Sequence, residues 1–215
     1  MSRPVRAVAA LAVLTAVATL AWQPSGARYT AGTAAAAQTW SRAASTCASP
    51  GTQTLDAVAD SYIDQALPTT TKGTASQIQV ASSSAANRRG LIRFTLPAPG
   101  TGCILTAAHL NLTVGTPTAG RTVQVLTVAS AWTEAAVTWN TQPATTGSPV
   151  SIVATLPNGG VESWNVLAQT QAQYAGGGYG WLIRDATEND TGGQAYYARE
   201  YPMVARRPAL VLTFA

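Results

Sequence analysis

Residues 108–114 read Ala-His-Leu-Asn-Leu-Thr-Val, and their alternation decides the fold class. Leu110, Leu112 and Val114 fall on one face of an extended chain, and His109, Asn111 and Thr113 fall on the other. The same period recurs on both sides of this stretch. Ile92, Phe94 and Leu96 alternate with Arg93 and Thr95, and Leu210, Leu212 and Phe214 alternate with Val211 and Thr213. Shorter strand candidates are 54–59, 77–81, 123–128, 136–139, 151–155, 180–184 and 194–199. Turn residues separate them, at Pro68, Gly73, 97–102, 115–120, 143–149, 157–160 and 176–178. Short strands at this spacing predict an all-β fold, a β-sandwich of jelly-roll-like form. One segment departs from the pattern. In 164–178 (WNVLAQTQAQYAGGG), Asn165 is placed to cap a short helix with Val166, Leu167, Ala168, Ala172 and Tyr174 as its apolar residues, ended by Gly176. So short a helix has to pack on the sheet.

Composition agrees. Of 215 residues, only 10% are charged and 47% are hydrophobic, without the Glu, Lys and Leu periodicity of helical bundles. The formal charge of +4 comes from 13 basic and 9 acidic residues, but Arg3, Arg6 and Arg28 sit in the first 37. Thirteen less three leaves ten basic against nine acidic residues, and no basic stripe that would track a nucleic acid. The amino end has a positive start, an uncharged run from Ala7 to Trp22 and small residues at 25–27. This pattern predicts a secretory signal over residues 1–27. Cleavage after Ala37 and a retained membrane anchor are the alternatives, though the run is shorter than the ~20 residues a span usually takes. Residues 28–50 read as a flexible linker, and 51–215 as the domain, which after cleavage has no membrane segment. Cys47 and Cys103 are the only cysteines. In an exported chain an even pair reads first as a disulfide, with two unpaired thiols as the alternative.

Few residues invite catalysis. His109 is the only histidine and sits on the polar side of its strand, and no Gly-x-Ser-x-Gly elbow is present, so a serine triad is not expected. A zinc site lacks ligands for the same reason. Glycoside hydrolysis needs two carboxylates, and none of the nine acids is marked as half of such a pair. Arg184-Asp185 and Arg199-Glu200 read as structural ion pairs. Calcium is the one metal for which oxygen ligands cluster, at Asp60 and Asp64 around Ser-Tyr-Ile and in the loop 185–190. No cofactor is otherwise required. Aromatic residues are the better candidates for binding a sugar, whose C–H faces are apolar and whose hydroxyls need partners. Trp164 and Trp181 read as core. Tyr179, Tyr196, Tyr197 and Tyr201 lie in glycine-rich or polar stretches and are expected to be exposed ligand-binding residues.

A set of motifs then stands out: 60–64 (DSYID), Ile78-Gln79-Val80, 91–96 (LIRFTL), 108–112 (AHLNL), 132–143 (WTEAAVTWNTQP), Trp164-Asn165-Val166, Arg199-Glu200 and 208–212 (PALVL). Together they resemble the DNRLRE-type domain, also grouped as carbohydrate-binding module family 96, over about Leu55 to Phe214. The block Trp-x-Glu-x-x-Val-Thr-Trp-Asn-x-Gln-Pro is the most specific part. Cys47 and Cys103 resemble those of secreted actinobacterial members, which implies that the two pair. The resemblance implies a secreted, extracellular, non-catalytic module with polysaccharide as partner. Some members bind acidic polysaccharides, yet His109 and Asn111 stand where the family often has Thr and Arg. A structural or adhesive module for protein or cell wall is the alternative, and a small polysaccharide-cleaving enzyme is a third reading. The resemblance also makes 132–143 a folding signature. Its two tryptophans are seven apart, so one regular strand would send them to opposite sides. A turn between them is expected, with Trp139 mostly buried and with Glu134 and Asn140 satisfying backbone groups.

Overall fold

The computed structural model describes residues 47–215. The expected signal at 1–27, its alternative cleavage points and the linker up to residue 46 lie outside the described residues. Eleven strands follow in chain order: β1 (Gly51–Asp56), β2 (Ala59–Asp64), β3 (Gln77–Ser82), β4 (Arg88–Arg93), β5 (Leu105–Thr116), β6 (Thr122–Val128), β7 (Thr145–Val153), β8 (Val161–Asn165), β9 (Trp181–Asp185), β10 (Gly192–Tyr197) and β11 (Ala209–Phe214). One α-helix, α1 (Leu167–Gly176), lies between β8 and β9. All the pairings are antiparallel.

The alternating stretch lies in β5, the longest strand at 12 residues. It pairs with β11 along one edge, with β8 along the other, and at its far end with β10. Leu110 faces both Leu210 and Trp164 across the ladders. The pairing order runs β1-β11-β5-β10-β3-β4-β9-β6-β7, with β2 on β4 and β8 on β5. Leu110, Leu112 and Leu212 from one end of that order share a single buried cluster with Val123, Val125, Trp181 and Ile183 from the other. The sheet therefore curls over its own core, and the fold is a jelly-roll-like β-sandwich. Phe94 meets Trp181 edge-on at 6.0 Å, and Trp164 meets Tyr196 at 5.8 Å.

The Cys47–Cys103 disulfide forms and ties the start of the described chain to the β4–β5 connection. Closing a loop with a sequence separation of 56 is worth about 4 kcal/mol in the chain-entropy treatment.

Three expectations are corrected. Residues 136–139 form no strand. Ala136 and Val137 both donate their N–H groups to the Thr133 carbonyl, which makes a tight turn. The helix region sends Val166, Leu167 and Tyr174 to the main core as expected, but Ala168 and Ala172 are exposed, and the polar Gln169, Thr170 and Gln173 are buried in their stead. Gln169 reaches the sheet through its amide, donating to the carbonyls of Val125 and Ser148. Asn165 does hold the helix start, accepting the Leu167 N–H at 3.2 Å, although Val166 is the boundary residue. Finally, β2 and β8 are strands that alternation did not reveal.

Candidate functional site

The block 132–143 folds as a plug over the outer side of the sheet. Trp132 and Val137 join Ala59, Ile63, Leu91, Leu126, Val128 and Leu182 in a second buried cluster. The indole N–H of Trp132 donates to the Tyr179 carbonyl at 2.8 Å. Trp132 is thus the buried tryptophan of the pair. Trp139, expected to be mostly buried, is half-buried, with the Arg89 guanidinium lying over its ring at 4.5 Å. Arg89 is held in turn by Glu188 and by Gln142, whose amide donates to the Trp139 carbonyl. Asn140 is exposed, and it is its backbone N–H that bonds, to the Pro68 carbonyl.

Glu134 performs the expected backbone contact, accepting the Asp60 N–H at 3.3 Å. It also belongs to a cluster. Single oxygens of Asp60, Glu134 and Glu200 lie within 4.8 Å of one another. Arg199 touches all three: its N–H donates to Asp60, and its guanidinium meets Glu134 at 2.8 Å and Glu200 at 3.3 Å. Burial pushes Asp60 up to about 7, and the charges of Glu200 and Glu134 add to that against the Arg199 N–H. Burial likewise raises Glu200. An opening of about 320 Å³, lined by Thr71, Thr74, Glu134 and Glu200, lies beside the cluster, but Asp60 itself is only 1% exposed.

The calcium expectation is recast by this geometry. Asp60 and Asp64 are not brought to one place. They lie four residues apart on β2, roughly 13 Å along a strand, and Asp64 is taken by Arg88 at 2.8 Å. The oxygen-rich loop 185–190 is filled by a guanidinium: Arg121 bonds Asp185, Asp190 and the carbonyls of Thr187 and Thr191. Asp185 therefore pairs with Arg121 and not with its neighbour Arg184, which bonds Gln124, since adjacent strand residues face opposite ways. The His109 ring lies 3.4 Å from the Ser163 hydroxyl.

The tyrosines separate. Tyr196 is fully buried, with its hydroxyl donating to Glu162 and accepting from Gln194. Tyr197, expected at the surface, is only 6% exposed. Tyr201 stacks on it at 3.8 Å, Arg206 lies over its ring at 5.6 Å, and its hydroxyl bonds Asn158. Tyr201 and Tyr179 remain partly exposed. Burial of a tyrosine needs a partner for its hydroxyl, and here Gln194 of the same polar stretch and the distant Glu162 and Asn158 supply it.

Beside Tyr197 the sheet carries a shallow trough of about 230 Å³. In β3, Ile78 and Val80 turn to the core and leave Gln77, Gln79 and Ala81 on the other side. Opposite them in the ladder stand Tyr197, Ala195 and Gly193 of β10. Small residues make the floor; Gln77, Gln79, Thr116 and Arg88 make the walls. Arg88 is fixed by two bonds, to Asp64 at 2.8 Å and to Gln79 at 2.5 Å. Such a surface presents amide donors and acceptors at fixed spacing over a bare backbone, which suits hydroxyl groups in a row. The sequence signal for it was present in the Gln-Ile-Gln-Val-Ala alternation at 77–81.

Comparison with family profiles matches residues 51–214 to carbohydrate-binding module family 96. The chain belongs to that family. The match spans every strand from β1 to β11, including the plug and both walls of the trough. No curated protein matches the chain. As a family 96 module it binds carbohydrate in the general sense of its family, and no helix among its described residues is long and apolar enough to cross a membrane. The disulfide is consistent with an extracellular setting.

Proposed function

We propose that this module is secreted, acts without catalysis and holds a neutral polysaccharide along the β3–β10 trough. The trough itself carries the reading. It is an open strip with a floor of Ala81, Gly193 and Ala195 and with amide walls, lying across the paired strands β3 and β10. Its cation, Arg88, is already bonded to Asp64, so the strip offers hydrogen bonds rather than free charge. That favours hydroxyls over carboxylates as the recognised groups.

Affinity electrophoresis of residues 45–215 against neutral and acidic polysaccharides tests this. Retardation by a neutral class is expected, and Gln79→Ala should weaken it about three- to tenfold, the value of one lost neutral hydrogen bond with its partner left bare. Binding that is unaffected by Gln79→Ala would remove the trough from the proposal.

One observation favours a rival. The Asp60–Glu134–Glu200 cluster brings carboxylates as close as those of retaining glycosidases, about 5 Å. Release of reducing ends from any bound polysaccharide, abolished by Glu134→Gln, would establish cleavage. Absence of release would leave the cluster with its structural bonds to Arg199.

A further inference from the structure

Arg88 is the only charged residue among those that line the trough, and a residue outside the lining governs it. Asp64 stands opposite Arg88 in the β2–β4 ladder and is 2% exposed, whereas the Arg88 side chain is 38% exposed. Both oxygens of the Asp64 carboxylate are used. Oδ1 accepts the Ala66 N–H at 3.0 Å in the turn that follows β2, and Oδ2 accepts the Arg88 Nε–H at 2.8 Å. The first bond ties the carboxylate to the backbone, so the second ties the guanidinium to the backbone as well. Arg88 Nη1 in turn donates to Gln79 Oε1. An amide whose oxygen is committed in this way has its N–H₂ left to offer as a donor. A buried carboxylate thus sets, through one arginine, the direction of a donor in the trough.

The other arginines nearby do not change the charge of the lining. Arg121 is held by Asp185 at 2.7 Å and by Asp190 at 2.8 Å, and Arg206 lies over the Tyr197 ring at 5.6 Å. The charge that a polysaccharide meets on the strip is therefore that of the Asp64–Arg88 pair. A guanidinium already bonded to a carboxylate offers little to a second carboxylate, because attraction to the one group is opposed by repulsion from the other. An unpaired guanidinium forms two parallel charge-assisted bonds with a uronate. Neutral hydroxyls need no free charge and gain from an amide that is already oriented.

We infer that Asp64 is the specificity-determining residue of the trough: it holds Arg88 against Gln79 and so selects a neutral polysaccharide over an acidic one. It acts through Arg88, as a positioning residue, and supplies the repulsive element against the wrong ligand. The inference rests on the trough reading given above and deepens it.

Asp64→Asn tests it. Asparagine keeps an oxygen for the Ala66 N–H but turns an N–H₂ toward the Arg88 Nε–H, so the arginine bond is lost and the turn is kept. The protein is run through gels containing xyloglucan or galactomannan as neutral probes and polygalacturonate as the acidic one, with chemical denaturation to show that each variant is folded. The parent should be retarded by a neutral probe and not by polygalacturonate. Asp64→Asn should gain about tenfold or more in affinity for polygalacturonate, the value of a charge-assisted bond, while its neutral affinity falls. Asp56→Asn, at the exposed end of β1, makes the same change in net charge and should behave as the parent does. Adding Arg88→Gln to Asp64→Asn should abolish the gain. Arg88→Gln alone is the second variant. It should weaken the neutral probe about three- to tenfold, since the Gln79 donor loses its direction, and should bring no acidic binding. The inference is overturned by a folded Asp64→Asn without the gain, by a gain that Asp56→Asn shares, or by one that survives Arg88→Gln. Arg88→Gln with the neutral affinity of the parent would overturn the positioning role. Gln79→Ala with unchanged neutral affinity would sink the trough reading and this inference together, whereas an intact Gln79 effect without the Asp64 gain sinks this inference alone.

Discussion

The plug at 132–143 and the trough on β3 and β10 make opposite use of their side chains. The plug holds two tryptophans and a carboxylate, the residues that attract attention as sugar-binding groups. It spends them on the fold: Trp132 in the second cluster, Trp139 beneath Arg89, Glu134 on the Asp60 N–H and Arg199. The trough holds glutamines, alanines and a glycine, which attract none, and it is the part that leaves polar groups facing outward on a bare floor. Aromatic content marks where apolar surface is buried before it marks where a ligand sits. In this module the residues that can be spared for a ligand are those opposite the core-facing side of a strand.

The largest expected effect separates the two regions directly. Trp132→Ala removes a 5%-exposed indole and its bond to the Tyr179 carbonyl, and should lower stability by about 3 to 5 kcal/mol in chemical denaturation. Polysaccharide affinity of the folded fraction should stay as it was. A loss of affinity in molecules that remain folded would mean that the plug belongs to the binding surface and would break the comparison.

How much of this was legible in the sequence follows from the same division. β5 and β11 read clearly because over most of their length one face meets the core and the other does not, which gives alternation through Leu112 in β5 and throughout β11. β2 did not, since all six of its residues are buried: Tyr62 points to the main core, Ala59 and Ile63 point under the plug, and Asp60 and Asp64 are paired with arginine groups. β8 alternates, but in disguise, for its inward residues are Trp164 and the charged Glu162, while Val161 is exposed. Glu162 is tolerated inside because Gln194 and Tyr196 donate to it at 2.7 and 2.6 Å, a partnership between strands far apart in sequence. That long-range bond is also why Tyr196 read as a surface residue. The run Val137-Thr138-Trp139 has strand-like composition and forms a turn instead, because the cluster claims Trp132 and Val137 together and the chain has to bend to deliver both.

The next effect, on the order of 2 to 4 kcal/mol, belongs to Asp60, beneath the plug's Glu134. Its carboxyl is raised to about 7 in the folded chain from 3.8, with burial as the leading cause. Below pH 4 both folded and unfolded chains hold this proton. Between about 4 and 7 the unfolded chain releases it first, so this group makes stability fall as pH rises. Asp60→Asn should flatten that fall, so that the variant gains on the parent between pH 4 and pH 8 when melting temperatures are compared. An unchanged slope would show that the proton resides elsewhere in the cluster.

The smallest effect tests the end of the trough, where aromatic and amide surfaces meet. Tyr201→Ala takes away the ring stacked on Tyr197 at 3.8 Å, a contact worth about 0.5 to 1.5 kcal/mol beyond its buried area. Tyr197 would keep Asn158 and Arg206 and would gain an open ring face. If the trough binds through its amides, stability should drop by about 1 kcal/mol while polysaccharide affinity holds or rises slightly, because a newly open aromatic face lies in line with Gln77 and Ala195. A marked loss of affinity would instead place Tyr201 against the ligand. The binding surface would then centre on the loop tyrosine, with the amides of β3 as its margin, and the contrast between plug and trough would narrow to a difference in how far each aromatic is covered.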